Sequence, residues 1–144
     1  MAKTKYGQYI IPAEVKTVRK GEPPLLSFSA TPYGVDAGWG ILVATKILDE
    51  ETRKRLYENP HSHDFHQFIT YFGSNPYNIA EFDAEISICL GEEREEHIIN
   101  RPTVIHFPPG MIHGYGKTPH IVNKPVYHLD LTFAPTYVRK DLPE

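Results

Sequence analysis

The sequence predicts an all-β domain of sandwich or barrel type, on three observations. Its apolar residues fall into short runs of strand length, and Gly, Pro, Asn and Asp break those runs at close intervals. No internal repeat, low-complexity tract or Gly/Ser linker divides the chain, and its 144 residues are the size of one domain with a proper core.

The elements follow in order. Leu25-Leu26-Ser27-Phe28-Ser29-Ala30 begins after Pro23-Pro24, and Gly38 to Thr45 is a second strand after the Gly34-to-Gly38 turn region. Asp49 to Tyr57 is charged and suits either a short helix capped by Asp49 or an ordered loop. His66 to Phe72 alternates as a strand does, and Gly73-Ser74-Asn75-Pro76 stops it. Ala84 to Leu90 is Ile-rich, Gly91-Glu92-Glu93 turns the chain, and Glu96 to Asn100 returns it. Thr103 to Phe107 and Val126 to Phe133 complete the set. The expected domain comprises an N-terminal arm (1–24), the barrel (25–133) and a tail (134–144), with residues 139–144 expected to fray.

Two separated stretches carry the chemistry. The first is Pro60-His61-Ser62-His63-Asp64-Phe65-His66-Gln67, the second Phe107-Pro108-Pro109-Gly110-Met111-Ile112-His113. Side chains alternate along a strand, so His61, His63 and Gln67 project to one face, while Asp64 and His66 project to the other. Neutral imidazoles suit Fe, Mn, Ni, Cu or Zn, and His113 arriving from a distant strand leaves coordination positions open. Gln67 can either ligate through its amide oxygen or hydrogen-bond a bound water. His97, His106 and His120 have no spacing that recruits them, and read as structural or solvated.

Across residues 55 to 133 the two stretches resemble the two motifs of the cupins. His61, His63, Gln67 and Gly73 match the first, with Gln67 where cupins usually carry Glu. Pro108, Gly110 and His113 match the second, with Pro102 and Lys117 replacing its opening Gly and closing Asn. The resemblance implies a double-stranded β-helix, the jelly-roll barrel. It also implies one divalent transition metal held by His61, His63, Gln67 and His113, with Fe(II) favoured and Mn, Ni, Cu or Zn as alternatives. A small-molecule substrate follows, processed by an Fe(II) dioxygenase-like oxidoreductase acting on a chelating oxygenated compound. The alternatives are a non-redox isomerase, lyase or decarboxylase, and a binding module without turnover. Cupins often dimerise through N-terminal strands, and Tyr9-Ile10-Ile11 would suit a homodimer contact or its own barrel.

The last strand carries a second polar signal. Tyr127, Leu129, Leu131 and Phe133 share one face, and Val126, His128, Asp130 and Thr132 the other. That polar face looks either to solvent or into a barrel cavity. In the second case His128 becomes an acid/base group, with Asp130 orienting it or binding substrate. Tyr115 and Tyr71 could also move a proton, or serve only as packing aromatics.

Composition excludes other classes. A net charge of -3 with scattered Lys and Arg offers no basic patch for nucleic acid. The start at Met1 leads into no apolar core and cleavage site, and no apolar run reaches membrane-spanning length, so a cytoplasmic protein without a membrane partner is expected. The single cysteine, Cys89, agrees with a reducing compartment and reads as a small buried hydrophobe.

Overall fold

The computed structural model describes residues 5–6, 10, 12, 14–17, 20, 25–30, 41–50, 52–56, 60–134 and 137–142. Among them are twelve β-strands and no α-helix. Among the described residues no helix is long and apolar enough to cross a membrane. Pro23-Pro24 and the expected turn region Gly34 to Gly38, together with Tyr9, Ile11 and Pro135, lie outside the described residues.

The strands are β1 (Glu14–Lys16), β2 (Leu25–Ala30), β3 (Ile41–Leu48), β4 (His61–Ser62), β5 (Gln67–Gly73), β6 (Ala84–Leu90), β7 (Glu95–Ile99), β8 (Thr103–Phe107), β9 (His113–Tyr115), β10 (Ile121–Val122), β11 (Val126–Thr132) and β12 (Lys140–Asp141). One sheet runs β1-β2-β3-β11-β5-β8. The other runs β10-β6-β9-β4-β12, with β7 also on β6. Every pairing is antiparallel. The core lies between the sheets. Leu48, Tyr71 and Val126 enter from the first, and Ala84, Ile86, Ile88 and Val122 from the second. This is the two-sheet, all-β architecture of jelly-roll type that the strand pattern predicts, because each strand buries one face of alternating side chains.

Several local expectations change. The charged segment after Asp49 forms only a 3-10 turn at Thr52–Arg55, and Asp49 caps it by accepting the Thr52 N–H at 2.8 Å while its own N–H reaches the Thr52 hydroxyl at 2.7 Å. Buried Leu56 then draws the chain into the core. The second strand runs on past Thr45 to Leu48, while the Gly38 to Gly40 stretch placed at its start lies outside the described residues.

The tail departs most. Residues 139–144 were expected to fray, yet Lys140 and Asp141 pair with Ser62 and His61, and the Leu142 N–H reaches the Pro60 carbonyl at 3.1 Å. A two-residue strand such as β4 otherwise leaves an open edge, and β12 covers it.

Turn glycines set the loops that frame the interior. A Cβ at Gly73 would lie 1.8 Å from the Glu81 carbonyl oxygen, so only glycine admits that approach. Gly110 has φ +83°, the left-handed conformation that the turn before His113 requires.

Candidate metal centre

Strand parity and sheet pairing bring the three histidines to one point. In the first stretch the buried residues are His61, His63 and Gln67, whereas Asp64 and His66 are exposed. His61 and His113 are direct partners across β4 and β9. The second stretch is tied to the first by the Gly110 N–H, which donates to the His63 carbonyl at 2.7 Å. The ring nitrogens of His61, His63 and His113 consequently lie within 4.8 Å of one another. Ring centroids are 4.9 Å apart for His61 and His63, 4.5 Å for His61 and His113, and 5.2 Å for His63 and His113.

Neighbouring groups fix how the rings present themselves. His113 Nδ1 donates to the Met111 carbonyl at 2.9 Å, and His63 Nδ1 to the Val138 carbonyl at 2.6 Å. Each bond leaves Nε2 with the lone pair, the form a metal needs. Phe107 stacks flat on His113 at 3.9 Å between centroids and holds the ring in place. Burial pushes the His113 imidazolium down to about 4, with the neighbouring His61 and His63 adding to the depression, so the ring is neutral at ordinary pH.

The donors fit a cation by a separate test. Among the described residues, His113 Nε2 and Gln67 Oε1 are buried atoms with no hydrogen-bond partner. Both carry lone pairs and neither can donate, so a proton donor or a cation must satisfy them. Gln67 cannot turn its amide round, because its Nε2 donates to both oxygens of Asp130 at 2.9 Å and a carboxylate only accepts. Three imidazoles and an amide oxygen suit a divalent transition metal rather than calcium or magnesium, and together they carry no charge.

The candidate catalytic residues line the same space. A cavity of about 260 Å³ is bounded by His61, Gln67, Tyr71, His113, Tyr115, His128, Asp130 and Tyr137, among others. Of the two readings of the last strand, the inward one holds. Val126, His128 and Thr132 are buried, while Tyr127 stacks on Phe72 at 5.2 Å on the outer face and Phe133 is exposed. The inward polar face is sustained by bonds. Asp130 also accepts from the Thr132 hydroxyl at 3.2 Å, and His128 lies edge-on to the fully buried ring of Tyr71, 5.2 Å between centroids. Tyr115 lines the cavity and meets His120 edge-on at 5.4 Å.

The remaining histidines take other roles. His120 is buried and structural: it accepts from the Ser87 N–H at 3.0 Å and donates to the Leu56 carbonyl at 3.1 Å. His66 and His106 meet on the outside at 2.9 Å, and exposed His97 pairs with Glu95. Cys89 is buried and its thiol is pushed up by that burial, as expected of a packing residue.

Tyr137 has no place among the sequence-derived candidates. Its ring packs 4.9 Å from His63 and its hydroxyl lies 3.4 Å from His63 Nε2. No motif spacing signals it, since it depends on the tail folding back along β4.

No protein-family model matches the sequence, and no curated protein matches it significantly. Solved structures that align with the chain include the polyketide cyclase RemF from Streptomyces resistomycificus, at 12% identity and a TM-score of 0.49 over 100% of this chain and 87% of that one. KdgF from Halomonas sp. aligns at 16% identity and 0.45, covering 86% of this chain and 87% of that one. A cupin-2 domain from Rhodospirillum rubrum aligns at 6% and 0.47, covering 93% and 76%. His61 and His113 sit on paired strands of one sheet, with the three imidazoles at one point, which is the convergence that the resemblance of the two motifs implies.

Proposed function

We propose that the protein is a mononuclear metal-dependent enzyme of cupin type that acts on a small, chelating, oxygenated substrate. The observation that carries this reading is the position of Gln67, whose amide oxygen is an orphaned buried acceptor while its nitrogen holds Asp130 on the cavity wall. A candidate ligand and a candidate proton carrier are thereby joined in one side chain. A divalent ion at His61, His63 and His113 would supply Lewis acidity toward a substrate oxygen and, if it is iron, a redox couple.

The protein's own residues supply proton transfer. Asp130 is an acceptor oriented by Gln67 and Thr132, so it can take a proton from a substrate carbon or hydroxyl beside the chelated oxygen. His128, on the same inward face two residues earlier, is placed to give a proton of its own to the product, with the proton held on Asp130 then passing to solvent and His128 taking one up to reset the pair. Tyr71 and Tyr115 close the wall and limit water. The cavity is smaller than the roughly 300 Å³ at which drug-sized sites begin, so a compact substrate fits. Isomerase, lyase or decarboxylase chemistry follows from this arrangement.

A second reading is an Fe(II) dioxygenase-like oxidoreductase. The uncharged donor set favours it, because it leaves the ion's full charge available to an anionic chelating substrate. One experiment separates the two. The chain is loaded with Zn(II) without oxygen, and with Fe(II) in an oxygen electrode, against a panel of diketones, hydroxy acids and catechols. Anaerobic turnover with Zn(II) supports the proton-transfer reading, and obligatory oxygen uptake replaces it with the oxygenase. Stoichiometric metal binding with no turnover in either arm would leave a binding module.

A further inference from the structure

The C-terminal segment does more than close a sheet edge. It runs along β4, which carries His61 and leads directly into His63: Lys140 pairs with Ser62 and Asp141 with His61, and Lys140 Nζ reaches Asp64 at 2.9 Å. At its start His63 donates through Nδ1 to the Val138 carbonyl, so Nε2 is the nitrogen left to face the cluster. The Tyr137 hydroxyl stands 3.4 Å from that Nε2, and Tyr137 also lines the cavity. Phe65 stacks on His63 at 4.7 Å and Tyr137 packs on His63 from a tilted angle, so the phenol is placed by ring contacts as well as by the strand.

The distance is informative. It is long for a well-formed hydrogen bond from a hydroxyl, which lies at about 2.7–3.0 Å. Two donor atoms bound at about 2.0–2.1 Å to one ion stand about 2.8–3.0 Å apart at octahedral angles and about 3.3–3.4 Å apart at tetrahedral ones. Tyr137 and His63 therefore hold the spacing of neighbours in one coordination sphere. The chemistry agrees, because the histidine cluster contains no carboxylate and Asp130 is engaged by Gln67 and Thr132.

We infer that Tyr137 is a further metal ligand, delivered by the C-terminal strand, and that its phenol oxygen supplies the anionic donor the imidazoles lack. As the oxygen–metal bond forms, the phenol proton passes to solvent. The inference rests on the proton-transfer form of the metal reading above, since a phenolate would offset the full charge on which the oxygenase reading draws. It also makes docking of residues 137–142 part of site assembly, since the same segment fixes the tautomer of His63.

Wild type and Tyr137→Phe, each as the full chain, are loaded with Fe(III) and followed by metal analysis, visible absorption and resonance Raman spectroscopy. The phenylalanine keeps the ring packing, and the wild-type spectrum is informative without the variant. The expected result is a phenolate-to-iron charge-transfer band in the wild type. Tyr137→Phe loses the band and binds iron on the order of tenfold or more weakly, still near one ion per chain. A one-to-one wild-type complex without that band, its affinity unchanged by Tyr137→Phe, overturns the tyrosine assignment alone. A wild-type chain that binds no ion overturns the metal reading and this inference with it.

Discussion

His61 and His113 face each other as direct partners across β4 and β9, their ring centroids 4.5 Å apart, although they belong to different motifs. Backbone pairing, not local sequence, sets that separation. The candidate metal centre is therefore as rigid as the sheet that carries His61 and His113, and as sensitive to register.

His113→Ala is expected to lower metal affinity by more than about 100-fold, because it removes a ligand whose lone pair is buried and unpartnered. His66→Ala should leave it unchanged, since His66 lies outside against His106. Calorimetric titration with Zn(II) measures both. Equal losses in the two variants would contradict the parity that places His66 on the other face.

Gln67→Glu gives an outcome that sequence and structure forecast differently. From the motif alone, a carboxylate here restores the usual charge and tightens the metal. The structure puts Asp130 against this side chain, so without metal two carboxylates would compete for one proton where an amide now donates. The metal-free variant should melt several degrees lower than wild type, and metal should recover most of that loss. Thermal melts with and without Zn(II) test this, and an unchanged metal-free melting temperature would show that the contact is unimportant.

Acid should weaken the metal-free protein well above the carboxylate range. His113 is held down to about 4 in the folded chain by burial, against about 6.5 when unfolded. Between those values the unfolded chain takes up a proton that the folded chain refuses. Stability is therefore full above about pH 6.5 and falls toward pH 4, by on the order of 3 kcal/mol from this residue. His120, also lowered by burial, acts in the same direction. Urea midpoints of chelator-treated protein at about pH 7.5 and about pH 5 check the sign, the lower pH giving the lower midpoint.

His120→Ala should separate stability from chemistry. It strands the Ser87 N–H and the Leu56 carbonyl, each a buried group worth about 1–3 kcal/mol when unsatisfied. The midpoint should fall by a few kcal/mol equivalents while metal stoichiometry stays at the wild-type value. Loss of metal in a chain that remains folded would give His120 a role at the site.

By itself the sequence determined the strand-rich class and the inward parity of His61, His63 and Gln67. Alternation along extended backbone puts His61 and His63 on one face, and Gln67 joins them from the other sheet after the bend at Asp64 and Phe65. The outward placing of His66 follows from that parity, and Cys89 reads as a buried packing residue from its place in an apolar run. Only the tertiary structure decided which face of β11 turns inward, since Val126, His128, Asp130 and Thr132 alternate equally well under either assignment. Only it showed that Gln67 is bound to Asp130 across two strands, and that the tail carries Tyr137 to His63. Those contacts join residues far apart in the chain, and the hydrogen bonds that make them affordable inside a barrel exist only after the sheets have closed.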